Sequence, residues 1–402
     1  MPTESAFLLA GLLFIAAALG YVFAKFGDTD DDVPAGKFNS DYMRGLNFVL
    51  NEQSDQAVEV FTRMAELDDE ALETHFALGS LFRKRGEVDR AIRVHENLIA
   101  RPSLTRAQKD QAEAALAEDF LSAGLFDRAE SLFLTLCDSS EYRLHGLERL
   151  RRIYEVTREW ERAVEISRDL EKARGREAAA SEETANVAHY YCEMAEEAWR
   201  RNDARKARSL LKQAESGRRQ TVRSTLDRAD FLSDEGKPDE AIALYREVIG
   251  AAPELLVDVL PRLAENHRAA GTADELSGYL RDLLASDANG NREITAAVAM
   301  STVRDTRIEN PQAMNALRDF VAADPTLSRL VGIDRFEEVD ELRRSVMLDQ
   351  VREALGNIVA ARPGYVCREC GYACLVMQWQ CPGCHRWESI RPVVKINLVS
   401  AA

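Results

Sequence analysis

Five of the seven cysteines in this 402-residue chain crowd between Cys367 and Cys384, and two pairs among them have metal-ligand spacing. Two residues separate Cys367 from Cys370, two separate Cys381 from Cys384, and ten lie between the pairs. A C-x2-C pair makes a tight knuckle whose backbone N–H groups can point at the sulfurs, and two knuckles supply a tetrahedral thiolate set. Gly371 follows the first pair, and Pro382 and Gly383 lie inside the second, where the turn needs unusual backbone angles. Cys367, Cys370, Cys381 and Cys384 are therefore the candidate ligands of one iron or zinc ion, since both metals accept four thiolates. Four protein ligands leave no open position, so the site is structural or redox rather than hydrolytic. Cys374, outside either pair, reads as a free thiol, and His385 as a surface group or a neighbour of the ligands. The segment is about 30 residues long, and a domain that small depends on its metal for folding. Tyr365, Tyr372, Trp379 and Trp387 are expected to cover it.

No second constellation carries chemistry. The chain holds no Gly-rich phosphate loop, no G-x-S-x-G and no H-E-x-x-H. His75, His95, His145, His189 and His267 are scattered and read as packing or surface residues. The chain therefore reads as a non-enzyme. A net charge of −16 repels phosphate backbones and argues against nucleic acid as a partner. The short basic stretches at Arg200 to Arg208 and at Arg218 and Arg219 read as solvated helix faces. Cys137 and Cys192 stand alone, and an odd thiol count suits a reducing compartment better than a disulfide framework.

The elements that must position the cysteines are helical. Ala, Leu, Glu and Arg dominate the composition, which favours helices over strands. A phrase then recurs along the chain: Gly45-x11-Ala57-x3-Phe61, Gly79-x11-Ala91-x3-His95, Ala117-x11-Ala129-x3-Phe133, a copy centred on Ala163, Ala195-x11-Ala207-x3-Leu211 and Ala229-x11-Ala241-x3-Tyr245. The steps Ala57 to Ala91, Ala129 to Ala163 and Ala207 to Ala241 are each 34 residues, the tetratricopeptide period. Weaker copies centre on Leu276 and Ala313. Small residues at the first two positions let the two helices of a unit approach closely, and the bulky third residue fills the gap to the next unit. Turn signals fall between the helices at Gly86, Gly124, Gly236 and Gly271. One helix pair cannot bury its apolar face alone, so the units are expected to stack into a superhelix with a concave groove. Beyond the repeats, Leu342, Val346, Leu348, Val351, Leu355 and Ile358 fall roughly on one face of a capping helix.

At the other end, Ala6 to Ala24 form nineteen residues without a charge, long enough to cross a bilayer as one helix. A cleaved signal peptide would need Lys or Arg before the run; only Glu4 is charged there, so the run reads as an uncleaved anchor. Lys25 and Lys37 on its C-terminal side place the body in the cytoplasm by the positive-inside rule. The expected layout is all-α: an anchor at 1–26, an acidic linker at 27–36, a tetratricopeptide solenoid at 37–325, capping helices at 326–362 and the metal-binding segment at 363–402.

The whole layout resembles the lipopolysaccharide assembly protein B family of Gram-negative bacteria. The resemblance covers nearly the full length. It rests on the anchor, the repeats, and the phrases His189 to Ala195 (HYYCEMA), Lys206 to Lys212 (KARSLLK), Leu255 to Pro261 (LLVDVLP) and Tyr365 to Gly371 (YVCRECG). Cys381 to Cys384 (CPGC) followed by Trp387 also match. The resemblance implies an inner-membrane protein with a cytoplasmic body and a rubredoxin-like knuckle packed against the repeats. It implies an adaptor that controls lipopolysaccharide synthesis, helping a membrane-bound AAA+ metalloprotease degrade the deacetylase that commits precursors to lipid A. Other lipopolysaccharide assembly proteins are implied as partners, and a homo-oligomer is left open. Cys367, Cys370, Cys381 and Cys384 match the family's ligand positions, while Cys374 departs from its pattern. Two other readings stand beside the adaptor: a redox protein built on a rubredoxin-like site, and a passive scaffold for envelope-assembly enzymes.

Overall fold

The computed structural model describes residues 35–394 except 52, 68–71, 176–182, 217–220, 287–292, 326, 329–340 and 361. Sixteen helices within it form eight pairs, each joined by a short connection. The pairs are α1 (Ala35–Leu50) with α2 (Ser54–Leu67), α3 (Leu72–Lys84) with α4 (Val88–Ile99), α5 (Arg106–Ser122) with α6 (Phe126–Leu136) and α7 (Arg143–Thr157) with α8 (Trp160–Arg174). They continue with α9 (Glu183–Arg200) and α10 (Ala204–Glu215), α11 (Val222–Asp234) and α12 (Pro238–Ala251), α13 (Leu256–Ala270) and α14 (Ala273–Ser286), and α15 (Glu293–Arg304) and α16 (Pro311–Ala323). The two weak copies centred on Leu276 and Ala313 are thus the second helices of pairs seven and eight.

The phrase acts through sterics, as its spacing predicts. Ala57, Ala91, Ala117, Ala129, Ala163, Ala195, Ala207, Ala229 and Ala241 are all fully buried. A Cβ built on Gly45 would lie 2.7 Å from the Phe61 ring, and one on Gly79 would lie 2.4 Å from the His95 ring. Only hydrogen fits at those two crossings. The turns share a second device. In six of them a residue one or two places after the first helix has a left-handed backbone: Gly86, Gly124, Arg158, Asn202, Gly236 and Gly271. The next N–H then reaches back five residues, as in Glu87 N to Phe82 O (2.9 Å) and Glu159 N to Tyr154 O (2.9 Å), which satisfies carbonyls the helix end leaves open. Arg158 and Asn202 escape a glycine search because they hold this conformation with a side chain.

Contacts divide the chain into two compact units, 1–153 and 154–402, and the division falls inside α7. In the first unit, Ala57, Phe61, Met64, Leu78, Leu81, Phe82 and Ala91 make one core. In the second, a longer core runs from Leu226 to Ala316. Helix α17 (Glu341–Ala360) packs Leu348, Val351 and Leu355 against Ala299, Val303, Leu317 and Val321. Val346, placed on that apolar face by sequence, is 52% exposed and points away. The side chain of Leu342 lies outside the described residues.

After α17 the chain forms a three-stranded antiparallel sheet in the order β2-β1-β3, with β1 at Tyr365–Cys367, β2 at Ala373–Cys374 and β3 at Ile390–Pro392. The described fold is therefore mostly helical rather than all-helical. The apolar run at 6–24 lies outside the described residues, and no described helix is long and apolar enough to cross a membrane.

Candidate metal centre and its docking face

The sheet brings the two knuckles together with the same backbone pattern. Gly371 N–H donates to Cys367 O (3.0 Å) and His385 N–H to Cys381 O (2.8 Å). Cys367 N–H donates to Tyr372 O (2.8 Å) and Cys381 N–H to Arg386 O (2.9 Å). Gly371 has φ +75° and His385 φ +60°, so His385 occupies the position that Gly371 fills in the first knuckle. Its role is a backbone one, and its side chain is exposed. Gly383 is small for another reason: a Cβ there would meet Cys370 Sγ at 3.3 Å.

The four sulfurs of Cys367, Cys370, Cys381 and Cys384 lie within 4.8 Å of one another. Cys367 Sγ is 3.6 Å from Cys384 Sγ, and Cys370 Sγ is 3.6 Å from Cys381 Sγ. A tetrahedron with metal–sulfur bonds of about 2.3 Å has edges of about 3.8 Å, so the spacing fits one four-thiolate ion. Glu369 N–H points at Cys367 Sγ (3.4 Å), and Ser389 Oγ lies 3.4 Å from the same sulfur. Burial acts to raise the Cys367 thiol, but its contact with the Ser389 hydroxyl and the hydrogen bonds from backbone N–H groups outweigh it and hold the group at about 6. Cys370, exposed at the surface, accepts a backbone hydrogen bond from Tyr372, yet partial desolvation and the neighbouring sulfurs push it up to about 12. Like charges this close cannot coexist without a cation. Cys374 is outside the four-sulfur group, half-buried on β2.

Of the aromatic residues expected to cover the metal centre, Tyr365 packs in one cluster with Cys367 and Cys381, and the others lie differently. Tyr372 is exposed. Trp379 and Trp387 face the repeat helices instead. Trp387 stacks on His189 (4.7 Å between centroids, 10° between planes) and meets Tyr190 and Trp160 edge-on. Arg223, almost wholly buried, lies with its guanidinium carbon 5.6 Å from the Trp379 ring and 5.9 Å from the Trp387 ring. Here the two tryptophan rings cap a buried charge.

Polar contacts complete the docking face. Gln380 donates to Glu155 (3.3 Å), Tyr365 donates to Asp258, Arg391 pairs with Glu254 (3.2 Å), and Arg304 donates to Gly364 O (2.8 Å). Glu155, His189, Tyr190, Arg223, Asp258 and Arg304 lie on α7, α9, α11, α13 and α15, the first helices of pairs four to eight. The small domain thus lies mainly along the first helices of the pairs, with Trp160 of α8 beside them, and touches five pairs at once.

Beneath it sits a charge cluster. Arg223 reaches Glu196 (2.7 Å), Glu193 (2.9 Å) and Asp227 (3.5 Å). Burial pushes Asp227 up to about 8, with Arg223 opposing, so three carboxylates and one guanidinium settle by retaining a proton. Burial holds His189 below its ordinary value, against Glu388 beside it. The sequence marks His189 only as a packing or surface residue that opens the phrase HYYCEMA, and it does not single out Arg223, because a lone Arg on a repeat helix has no motif. Both fall on the first helix of a pair. In the basic stretch at Arg200–Arg208, Arg201 pairs with Glu197 and Arg208 with Glu235.

Comparisons with known proteins follow this geometry. The profile of the Rubredoxin metal binding domain matches residues 365–392, and Tetratricopeptide repeat profiles match 74–107 and 192–255. Lipopolysaccharide assembly protein B of Escherichia coli (strain K12) is 30% identical over 389 residues, 96% of this chain and 98% of that protein. The chain belongs to the lipopolysaccharide assembly protein B family. Its Haemophilus influenzae member is 32% identical over 397 residues, again 96% of this chain and 98% of that protein. Among solved structures, the C-terminal part of a TPR repeat-containing protein from Cytophaga hutchinsonii covers 69% of this chain and 99% of its own, at 14% identity and a TM-score of 0.38. The family's metal-binding domain is therefore present here, with four cysteines gathered in it.

Proposed function

We propose that this protein is a membrane-tethered, non-catalytic adaptor in lipopolysaccharide assembly. One iron or zinc ion held by Cys367, Cys370, Cys381 and Cys384 fixes the small domain against the last five helix pairs. The proposed partition is anchor 1–26, linker 27–36, repeats 37–325, capping helices 326–362 and metal domain 363–402, with the body on the cytoplasmic side of the inner membrane. The repeats hold the lipid A-committing deacetylase, the membrane AAA+ metalloprotease, or both, and the tether raises their effective concentration. The observation that carries this reading is the membership of the family joined to a metal domain whose tryptophans face the repeats rather than a substrate space. When bound, the metal supplies cross-linking of two knuckles and no reaction. The test is the half-life of the deacetylase in cells carrying the wild type, a Cys381→Ser variant, or no protein. Shortened half-life with the wild type alone is the expected result; equal half-lives would leave the passive scaffold as the better account. A redox role draws on one feature, the exposure of Cys370 at the surface, and tight colourless zinc would end it.

A further inference from the structure

Helix α1 opens the first pair with one side packed and another bare. Gly45 sits against the Phe61 ring, and Tyr42 meets the same ring edge-on at 5.6 Å. Met43 is 53% exposed and Leu50 is 79% exposed, the highest of the exposed large apolar side chains among the described residues. Leu46, between them in sequence, is half-buried and packs inward against the core that holds Phe61. Positions 43 and 50 are seven apart, about two helical turns, so the two bare side chains share one stripe. Single exposed apolar side chains are ordinary, but a stripe of them asks for a cover.

The chain ahead of this helix says what the cover is. The uncharged run Ala6–Ala24 ends ten residues, Lys25–Pro34, before α1 begins. Ten residues span at most roughly 33–36 Å, so the start of α1 stays within that distance of the end of the run. We propose that α1 seats on the lipid surface, with Met43 and Leu50 at the acyl boundary and Arg44, exposed with its guanidinium 5.7 Å from the Phe48 ring, at the phosphates. This inference rests on the reading of residues 6–24 as a membrane anchor. A shallow amphipathic helix next to a tether gives a second attachment at little entropic cost, because the tether has already placed it at the interface. It also fixes how the first repeat is presented to membrane-bound partners.

The test uses the full chain in vesicles of phosphatidylethanolamine and phosphatidylglycerol. A genetically encoded environment-sensitive fluorophore replaces Leu12, Met43, Leu50 or, as a solvent control, Arg63; nitroxide lipids labelled near the headgroup serve as quenchers for 43, 50 and 63, and lipids labelled deep in the acyl chain for 12. Quenching and a blue shift at 43 and 50, to roughly half or more of the effect at the membrane interface and absent at 63, is the expected result. If 12 is quenched while 43 and 50 behave like 63, the anchor stands and the seating of α1 is wrong. If 12 is silent and 43 and 50 are quenched, the helix binds lipid without the anchor; if all are silent, both readings fall. A blue shift at 43 and 50 that grows with protein-to-lipid ratio without quenching means a second copy covers the stripe, and overturns the lipid assignment.

Discussion

The first three helix pairs and the last five are written in one phrase but bury their charges differently. In the first unit, His95 and Asp119 are wholly buried, with His95 Nδ1 2.5 Å from Asp119 and Arg83 closing on the other carboxylate oxygen, so the cluster is complete within the repeats. In the second unit, Arg223 has the Glu193, Glu196 and Asp227 carboxylates on one side and two tryptophan rings from the metal domain on another. One region finishes its buried charge with its own helices. The other needs a small domain whose folding depends on a metal. The repeat phrase therefore sets how helices pair, while residues off the phrase decide whether a stretch of repeats is self-sufficient.

Metal removal is the strongest way to break this comparison. Structural tetrathiolate sites contribute on the order of 10 kcal/mol to folding of small domains. Chelation, or Cys367→Ser, should unfold the region around β1 to β3, expose Trp379 and Trp387, and lower hydrogen-exchange protection in α9 and α11. Protection in α3 to α6 should stay as before. Equal loss in both regions would mean that the first unit also leans on the metal domain. Cys374→Ser should leave metal content unchanged.

A smaller effect is expected at the charge cluster. Arg223→Met leaves the partly buried Glu193 and Glu196 carboxylates without their cation and should cost roughly 1–3 kcal/mol by denaturant unfolding. Asp227→Asn should cost about 1 kcal/mol or less near neutral pH, because the native carboxyl, at about 8, already carries its proton there. A large loss in Asp227→Asn would show that Asp227 is ionised and paired.

Acid should separate the two regions more gently. Burial lowers the His189 pKa in the docked state, so the undocked state binds more protons as pH falls below about 6.5. Docking is then fully supported above that pH and weakens below it, by at most about 1.4 kcal/mol per pH unit. Trp387 fluorescence followed from pH 7.5 to 5.5 reads the change, and His189→Phe should flatten it while keeping the stack. A profile unchanged by that substitution would move the pH dependence elsewhere.

The smallest expected effect lies in the turns. Arg158 holds φ +60° where other turns have glycine, so Arg158→Gly should stabilise by about 0.5–1 kcal/mol. Asn202→Gly should give less, since Asn tolerates that region. No gain at Arg158 in thermal unfolding would mean that its side chain offsets the strain.

Much of this was legible before any coordinates. Small residues at helix crossings leave a period in the sequence because only Gly or Ala fits there, as Gly79 under the His95 ring shows. Thiolate ligands leave a spacing because two residues are what a knuckle needs. Those constraints are local, so the chain alone carries the helix pairs, the turns with glycine and the four gathered cysteines. The direction of Trp379 and Trp387, the bare face of Val346 and the burial of Arg223 depend instead on which surfaces meet across tens or hundreds of residues. Nothing within a few positions of Arg223 distinguishes it from a solvated arginine. Its partners Glu193, Glu196 and the two tryptophans come from other segments, and only folding decides that their low-dielectric company makes it a buried charge.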